Sequence, residues 1–184
     1  MSSLYREAID ELQDVFSRID DGAVDRAVTM IAEARKIVVF GCGREGLQIR
    51  GLAMRLFHMG LAVSVVGDMT TPPVGGGDLF VVTAGPGELS TASALLEIAR
   101  RAGARILFIT AQPEGRSAAY ADQVLVLPAQ TMADDQGEAK SSTLPMGSLY
   151  EGGLFILFEV MVLKLCERLK IGPDDMRHRH TNLE

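Results

Sequence analysis

The 184-residue sequence has no tryptophan, three histidines and two cysteines, and only 5% of it is aromatic. Cys42 and Cys166 lie far apart and give no disulfide framework. His178 and His180 form an H-x-H pair without carboxylate or thiolate companions, so no metal is assigned. Basic charge is also in deficit: 18 Lys and Arg against 24 Asp and Glu leave a net charge of −6. That excludes a general nucleic-acid surface, which needs a basic face to neutralise phosphates. The sequence contains no apolar run long enough to span a bilayer and no secretory leader, so a cytoplasmic setting without a membrane partner is expected. What is there is ordinary for a folded protein, 47% hydrophobic and 23% charged. The length suits one domain, residues 1–184, and is too short for a dinucleotide domain plus a separate catalytic one.

Apolar positions Leu4, Ala8, Leu12, Val15, Phe16 and Ile19, then Val24, Ala27, Val28 and Ile31, follow helical spacing and predict two leading helices. Five Val/Ile/Leu-rich runs follow, Lys36 to Phe40, Ala62 to Val66, Leu79 to Ala84, Arg105 to Thr110 and Gln123 to Leu127. They lack polar alternation, as strands do when both sheet faces are covered, which favours parallel pairing. Helices from about Arg44 to Met59 and Glu88 to Ala102 supply right-handed crossovers. The expected fold is α/β, a three-layer α/β/α sandwich around a five-stranded parallel sheet, with ligands at the carboxyl ends of the strands where the order reverses. Residues 128–147 form a polar stretch without apolar periodicity, long enough to be mobile or to cover a site. From Ser148 to about Lys170 a helix apolar almost all round implies burial on both sides, read as packing against a second subunit.

The stretch "IVVFGCGREGLQIRG" runs a strand into a G-x-G-x-x-G loop (Gly41, Gly43, Gly46) and a helix. Such a loop presents backbone N–H groups at the positive end of a helix dipole and suits any phosphate or similar anion. Asp68, the candidate ribose ligand of a dinucleotide fold, comes late and ahead of "MTTPP". A second glycine turn, "TAGPGELST" (Thr83 to Thr91), opens the next crossover helix at the same end of the sheet. Two such turns around one crevice fit a small anionic molecule better than an extended dinucleotide; the second could equally be a plain turn.

With these loops in place the chain resembles the sugar isomerase (SIS) family, most of all its 6-phospho-3-hexuloisomerase branch. The resemblance is carried by "GCGREG", "AMRLFHMG", "VVGDMTTPP", "GDLFVVTAGPGE", "LPMGSLYE" and "RHTNLE", in that order over nearly the whole length. It implies a SIS-type sheet with flavodoxin-like strand order, a dimer or tetramer, no cofactor, and a carbonyl shift between C3 and C2 of a hexulose 6-phosphate. It also implies Glu151 as the base, His58 near the sugar, and His180 beside a neighbouring subunit's site. Each has a plainer reading. Glu151 closes an S-x-x-E capping box with Ser148, His58 completes a helix end, and His180 sits on a terminus.

The chain departs from the family at the anion loops. Relatives carry Gly-Arg-Ser and Ser-Gly-Ser-Gly-Glu-Thr; here stand Gly43-Arg44-Glu45 and Ala84-Gly85-Pro86-Gly87-Glu88-Leu89. Glu45, Ala84, Pro86 and Leu89 replace hydroxyls, and Pro86 also deletes a backbone donor. Each lost hydrogen bond to a charged group costs about 1.5–3 kcal/mol. An inward Glu45 would add repulsion; Arg44, Ser90, Thr91 or the Thr70-Thr71 turn are the available compensations. The substrate-binding candidates are therefore Gly41, Gly43, Arg44, Glu45, Gly85, Gly87, Glu88, Ser90, Thr91, Thr70 and Thr71.

A carbonyl shift needs a base, a donor to the enediolate and return of the proton to the adjacent carbon. Glu151, with a pKa raised by its apolar setting, can serve as the shuttle; His58 or His180 can polarise the oxygens, and Gly152 and Gly153 leave room for the sugar. The rival from another class is a non-catalytic sugar-phosphate sensor, or an isomerase for a different anionic sugar, on the same fold.

Overall fold

The strand runs owe their unbroken apolarity to two covered faces. In the computed structural model, which describes residues 3–183, strands β1 (Ile37–Gly41), β2 (Val63–Val65), β3 (Leu79–Thr83), β4 (Arg105–Thr110) and β5 (Gln123–Val126) pair in the order β2-β1-β3-β4-β5. All four pairings are parallel, with Val39 opposite Val65 and Val81, and Val81 opposite Leu107. Met1, Ser2 and Glu184 lie outside the described residues, so the 1–184 extent and the last residue of "RHTNLE" are described only up to Leu183.

Alternate residues feed opposite layers. Ile37, Val39, Leu79, Val81, Leu107 and Ile109 pack with α1 (Leu4–Ser17), α2 (Asp21–Glu33), α3 (Gly43–His58) and α5 (Ser148–Leu169). Val38, Phe80, Val82, Ile106 and Phe108 pack with α4 (Ser90–Arg101) on the other face. A short helix α6 (Pro173–His178) follows α5. Helix α4 starts two residues later than the spacing predicts, because Leu89 is extended. Helix α5 buries Leu154, Leu157, Met161 and Leu165, while Phe155 and Leu163 on its other side are exposed.

The close approach at the first loop explains two of its glycines. A Cβ on Gly46 would stand 2.7 Å from the Gly41 carbonyl oxygen, and one on Gly41 would stand 2.8 Å from Thr83. These glycines let α3 start directly against the ends of β1 and β3, and they serve packing ahead of any ligand.

At the opposite end of the sheet Asp78, fully buried, accepts the Gly75 N–H at 2.9 Å and pairs with Lys36 at 3.3 Å and Arg35 at 3.0 Å. Burial pushes its carboxyl up, but these three partners outweigh that and hold it below its ordinary value. A depressed folded pKa gives stability that is present above the unfolded value near pH 4 and is lost as pH falls through the folded one. Asp78→Asn is expected to cost about 2–3 kcal/mol in urea denaturation at pH 7. The wild-type advantage should shrink to nothing in acid, and a difference independent of pH would contradict this.

Candidate active site

The strand order reverses between β1 and β3, with β2 on one side and β4 on the other, so the crevice expected of an open parallel sheet falls at their carboxyl ends. A cavity of about 320 Å³ opens there, within the size range of small-molecule sites. Cys42, Gly43, Arg44 and Glu45 line it from the first loop, and Pro86 and Leu89 from the second. Thr131, Met132, Met146 and Gly147 wall it from the long polar stretch, and Tyr150 and Glu151 close it from α5.

That polar stretch is anchored. Glu11 on α1 accepts the Ser142 hydroxyl at 2.5 Å and the Thr143 amide and hydroxyl at 2.8 Å each. Gln112 donates to Asp134 at 2.7 Å. From this stretch Thr131, Met132, Met146 and Gly147 reach the cavity, while Pro128, Ala129, Gln130 and Ser141 line the separate cleft along α1. Met146 (φ 54°) and Gly147 (φ 76°) are both left-handed, and a Cβ on Gly147 would stand 2.7 Å from the Met132 nitrogen. The turn presents the Met146 carbonyl to Arg44 Nη2, which donates to it.

Arg44 organises the mouth. Its Nε lies 3.0 Å from Glu151 Oε2, and its Nη1 donates to Ser148 Oγ at 2.9 Å. Burial pushes the Glu151 carboxyl above the usual carboxylate range, and the Arg44 charge partly opposes the rise. The capping-box reading of Ser148 and Glu151 is not realised. Helix α5 begins at Ser148 itself, behind Gly147, and the Ser148 hydroxyl donates to Pro145 O at 2.6 Å. This leaves the Glu151 carboxylate to Arg44 and the cavity.

The deeper carboxylate is Glu45, nine-tenths buried. Thr83 donates its hydroxyl to Oε2 at 2.7 Å, and the Gly85 N–H is shared between the two oxygens at 3.1 Å each. Thr83 directs its one hydroxyl hydrogen at Glu45, so the buried Tyr150 phenol, 3.1 Å away, is the donor to Thr83. Burial pushes the Glu45 carboxyl up and the Glu151 charge adds to this, while Thr83 and Gly85 oppose it. Burial, then the Glu45 charge, raises the Tyr150 phenol well above its usual value.

Of the residues singled out from sequence, Gly43, Arg44, Glu45 and Glu151 meet around this cavity, and Gly85 sits behind it holding Glu45. Gly41 and Gly87 are close-packing positions, the latter against Gln112. Glu88, Ser90 and Thr91 are exposed, and only their neighbours Pro86 and Leu89 reach the lining. Thr70 is exposed, and Thr71 donates to Val65 O at 2.6 Å and lines a separate apolar groove with Pro72, Pro73 and Phe80. A Cβ on Gly153 would stand 3.1 Å from Leu127, whereas one on Gly152 would meet Leu12 at an ordinary 3.6 Å, and neither glycine lines the cavity.

His58 and His180 come together, rings stacked with centroids 5.0 Å apart, at the far end of α3. From Gly43 to His58 the helix spans about 22 Å at 1.5 Å per residue. Within one chain the pair therefore lies remote from Glu151. Tyr150, Thr83 and Thr131 are site residues that sequence reasoning missed. The available signals were that Tyr150 adjoins Glu151 and that Thr83 ends a buried strand.

A larger cleft, about 620 Å³, lies along α1 at Asp10, Glu11, Asp14 and Gln130. It has no glycine loop, and the Glu11 carboxylate there is already engaged by Ser142 and Thr143. The smaller cavity, with both glycine turns and the Glu151–Arg44 pair, is the candidate site. Among the described residues no helix is long and apolar enough to cross a membrane.

A doubly wound sheet, glycine turns at its switch point and a half-buried carboxylate beside a guanidinium define an α/β protein built to hold a small polar ligand. More particularly, the chain belongs to the SIS domain family, whose pattern matches residues 30–151. It is 37% identical over 175 residues to a 3-hexulose-6-phosphate isomerase of Mycobacterium gastri, covering 95% of this chain and 87% of the relative. It is 31% identical to the enzyme of the same name from Bacillus subtilis, covering 97% and 96%. A solved structure from Methanococcus jannaschii, from which a 3-hexulose-6-phosphate isomerase function was inferred, superposes with a TM-score of 0.85 at 26% identity, covering 98% of each chain.

Proposed function

We propose that this chain is a sugar-phosphate isomerase that interconverts a 3-hexulose 6-phosphate and fructose 6-phosphate through an enediolate, with Glu151 as proton shuttle. The observation that carries this reading is the placement of Glu151 in the switch-point cavity, raised in pKa by burial and held by Arg44. A base poised above the ordinary carboxylate range can both take a proton from carbon and return it next door. Curated relatives similar over nearly the whole chain carry the same activity in their names. The reaction moves a proton and a carbonyl without net redox change, so the residues at the cavity suffice in kind: Glu151 for the carbon proton, and Arg44 for the oxygens. No cofactor is invoked.

The sensor reading rests on the replaced hydroxyls at Glu45, Ala84, Pro86 and Leu89. Incubation with fructose 6-phosphate in deuterated water separates the two. Deuterium uptake at C3 with appearance of the 3-ketose supports the isomerase, and binding without exchange supports the sensor.

His58 and His180 take part only if a second chain brings them to the cavity. Exposed Leu47, Met54 and Phe57 on α3 and Phe155 and Leu163 on α5 support a homo-oligomer, since apolar side chains of this size gain from leaving water. Light scattering should show a mass at least twice the 19.8 kDa chain, falling to one chain in Phe155→Glu/Leu163→Glu. A wild-type monomer at micromolar concentration defeats the oligomer and with it the histidines' role.

A further inference from the structure

The carbonyl shift uses one of the two carboxylates at the cavity and leaves Glu45 over. Its environment is that of a bound anion. A strand-end hydroxyl (Thr83) and the first amide of a glycine turn (Gly85) both donate to it, at 2.7 Å and 3.1 Å. Converging donors where a strand turns toward a helix are what an anion-binding loop offers, and here the chain fills that offer itself. The next position, Pro86, has no N–H, and the Gly87 N–H is spent on Ala84 O at 2.9 Å. Among the lining residues Arg44 is the cation, and Glu151 already holds it at 3.0 Å. An incoming phosphate thus meets a cradle that is occupied and a guanidinium that is shared.

We propose that Glu45 is an internal stand-in for the substrate's phosphate: it holds the Gly85 and Thr83 donors until phosphate binds and takes them over as the side chain is displaced. The inference rests on the functional reading above, because it takes a phosphorylated ligand to enter this cavity. It explains how the loop hydroxyls can be absent without leaving buried donors unsatisfied. It also makes Glu45 the residue that sets phosphate affinity. The carboxylate is held at some cost, since burial and the neighbouring Glu151 charge both oppose its ionisation, and a costly occupant is a displaceable one. The other ionisable groups lining the same space are Cys42, Arg44 and Tyr150.

Inorganic phosphate is the probe, titrated calorimetrically at fixed pH and ionic strength into wild type, Glu45→Ser and Glu45→Gln. Glu45→Ser, which removes the competitor and restores a hydroxyl, should bind phosphate at least about tenfold tighter. Glu45→Gln, which keeps the shape and removes the charge, should fall between the two. The KM for fructose 6-phosphate should drop in step while kcat does not rise with it. If both variants melt cooperatively and neither binds phosphate more tightly than wild type, the proposal is overturned; should the serine variant fail to fold, the glutamine variant decides alone. The readout needs no turnover. A gain in phosphate affinity in a protein that never exchanges deuterium would uphold the stand-in and reject the isomerase, and turnover without that gain would do the reverse.

Discussion

Glu151→Gln should lower deuterium exchange at C3 of fructose 6-phosphate by about 10³-fold, within the range that a positioned general base contributes. The substitution is nearly isosteric, and its amide oxygen can still accept from Arg44 Nε, which lies 3.0 Å from the native carboxylate. Cavity shape should therefore survive, and phosphate affinity should not fall, while the proton acceptor is lost. Glu151→Asp should be intermediate, because the carboxylate persists but withdraws by one methylene from the reacting carbons. In the wild type the base form is required, so activity should rise with pH through a value above the ordinary carboxylate pKa, in keeping with the upward push of burial on Glu151. Proton NMR in deuterated water follows the exchange directly. A Glu151→Gln protein retaining a tenth of the wild-type rate would remove Glu151 from the shuttle role.

What the sequence disclosed and what it concealed divide along physical lines. The strands were legible because a doubly covered parallel sheet forces runs such as Val38-Val39 and Val81-Val82, whose alternate members face different layers. Short-range chemistry was legible as well: glycine turns and helix starts are written in adjacent residues. The site's polar wiring was not. Thr83 meets Glu45 across 38 residues and Tyr150 across 67, and no local pattern encodes such partners. An inward Glu45 was foreseen only as repulsion toward a ligand, because its use of the Gly85 amide depends on how β1 and β3 sit side by side. The capping box misled for a similar reason: S-x-x-E is a local signature, and Arg44, remote in sequence, took the carboxylate instead. Thr71 illustrates the opposite error, a residue near a strand end in sequence whose hydroxyl turns back to its own backbone at Val65 and Asp68.

Arg44→Met should reduce kcat/KM at neutral pH by about 10- to 100-fold, the scale of one charged hydrogen-bonded contact, and should move the acidic limb of the pH profile upward. The guanidinium makes three contacts at once: with Glu151 through Nε, with Ser148 through Nη1 and with the Met146 carbonyl through Nη2. Burial already raises the Glu151 carboxyl, and Arg44 is the opposing influence. Without it the pKa climbs further, because a half-buried carboxylate has lost the charge that favoured its ionised form. At a fixed pH on the acidic limb more Glu151 is then protonated and unable to accept a proton from carbon. Part of the loss should accordingly be recovered by raising the pH, which a purely structural defect would not permit. Arg44→Lys should retain the pH profile better than the rate, since a point charge keeps the Coulombic attraction but cannot hold Ser148 and Met146 in the same fork. A limb that stays put in Arg44→Met, measured as kcat/KM from about pH 5 to 9, would show that the guanidinium positions the Met146 turn without tuning the base.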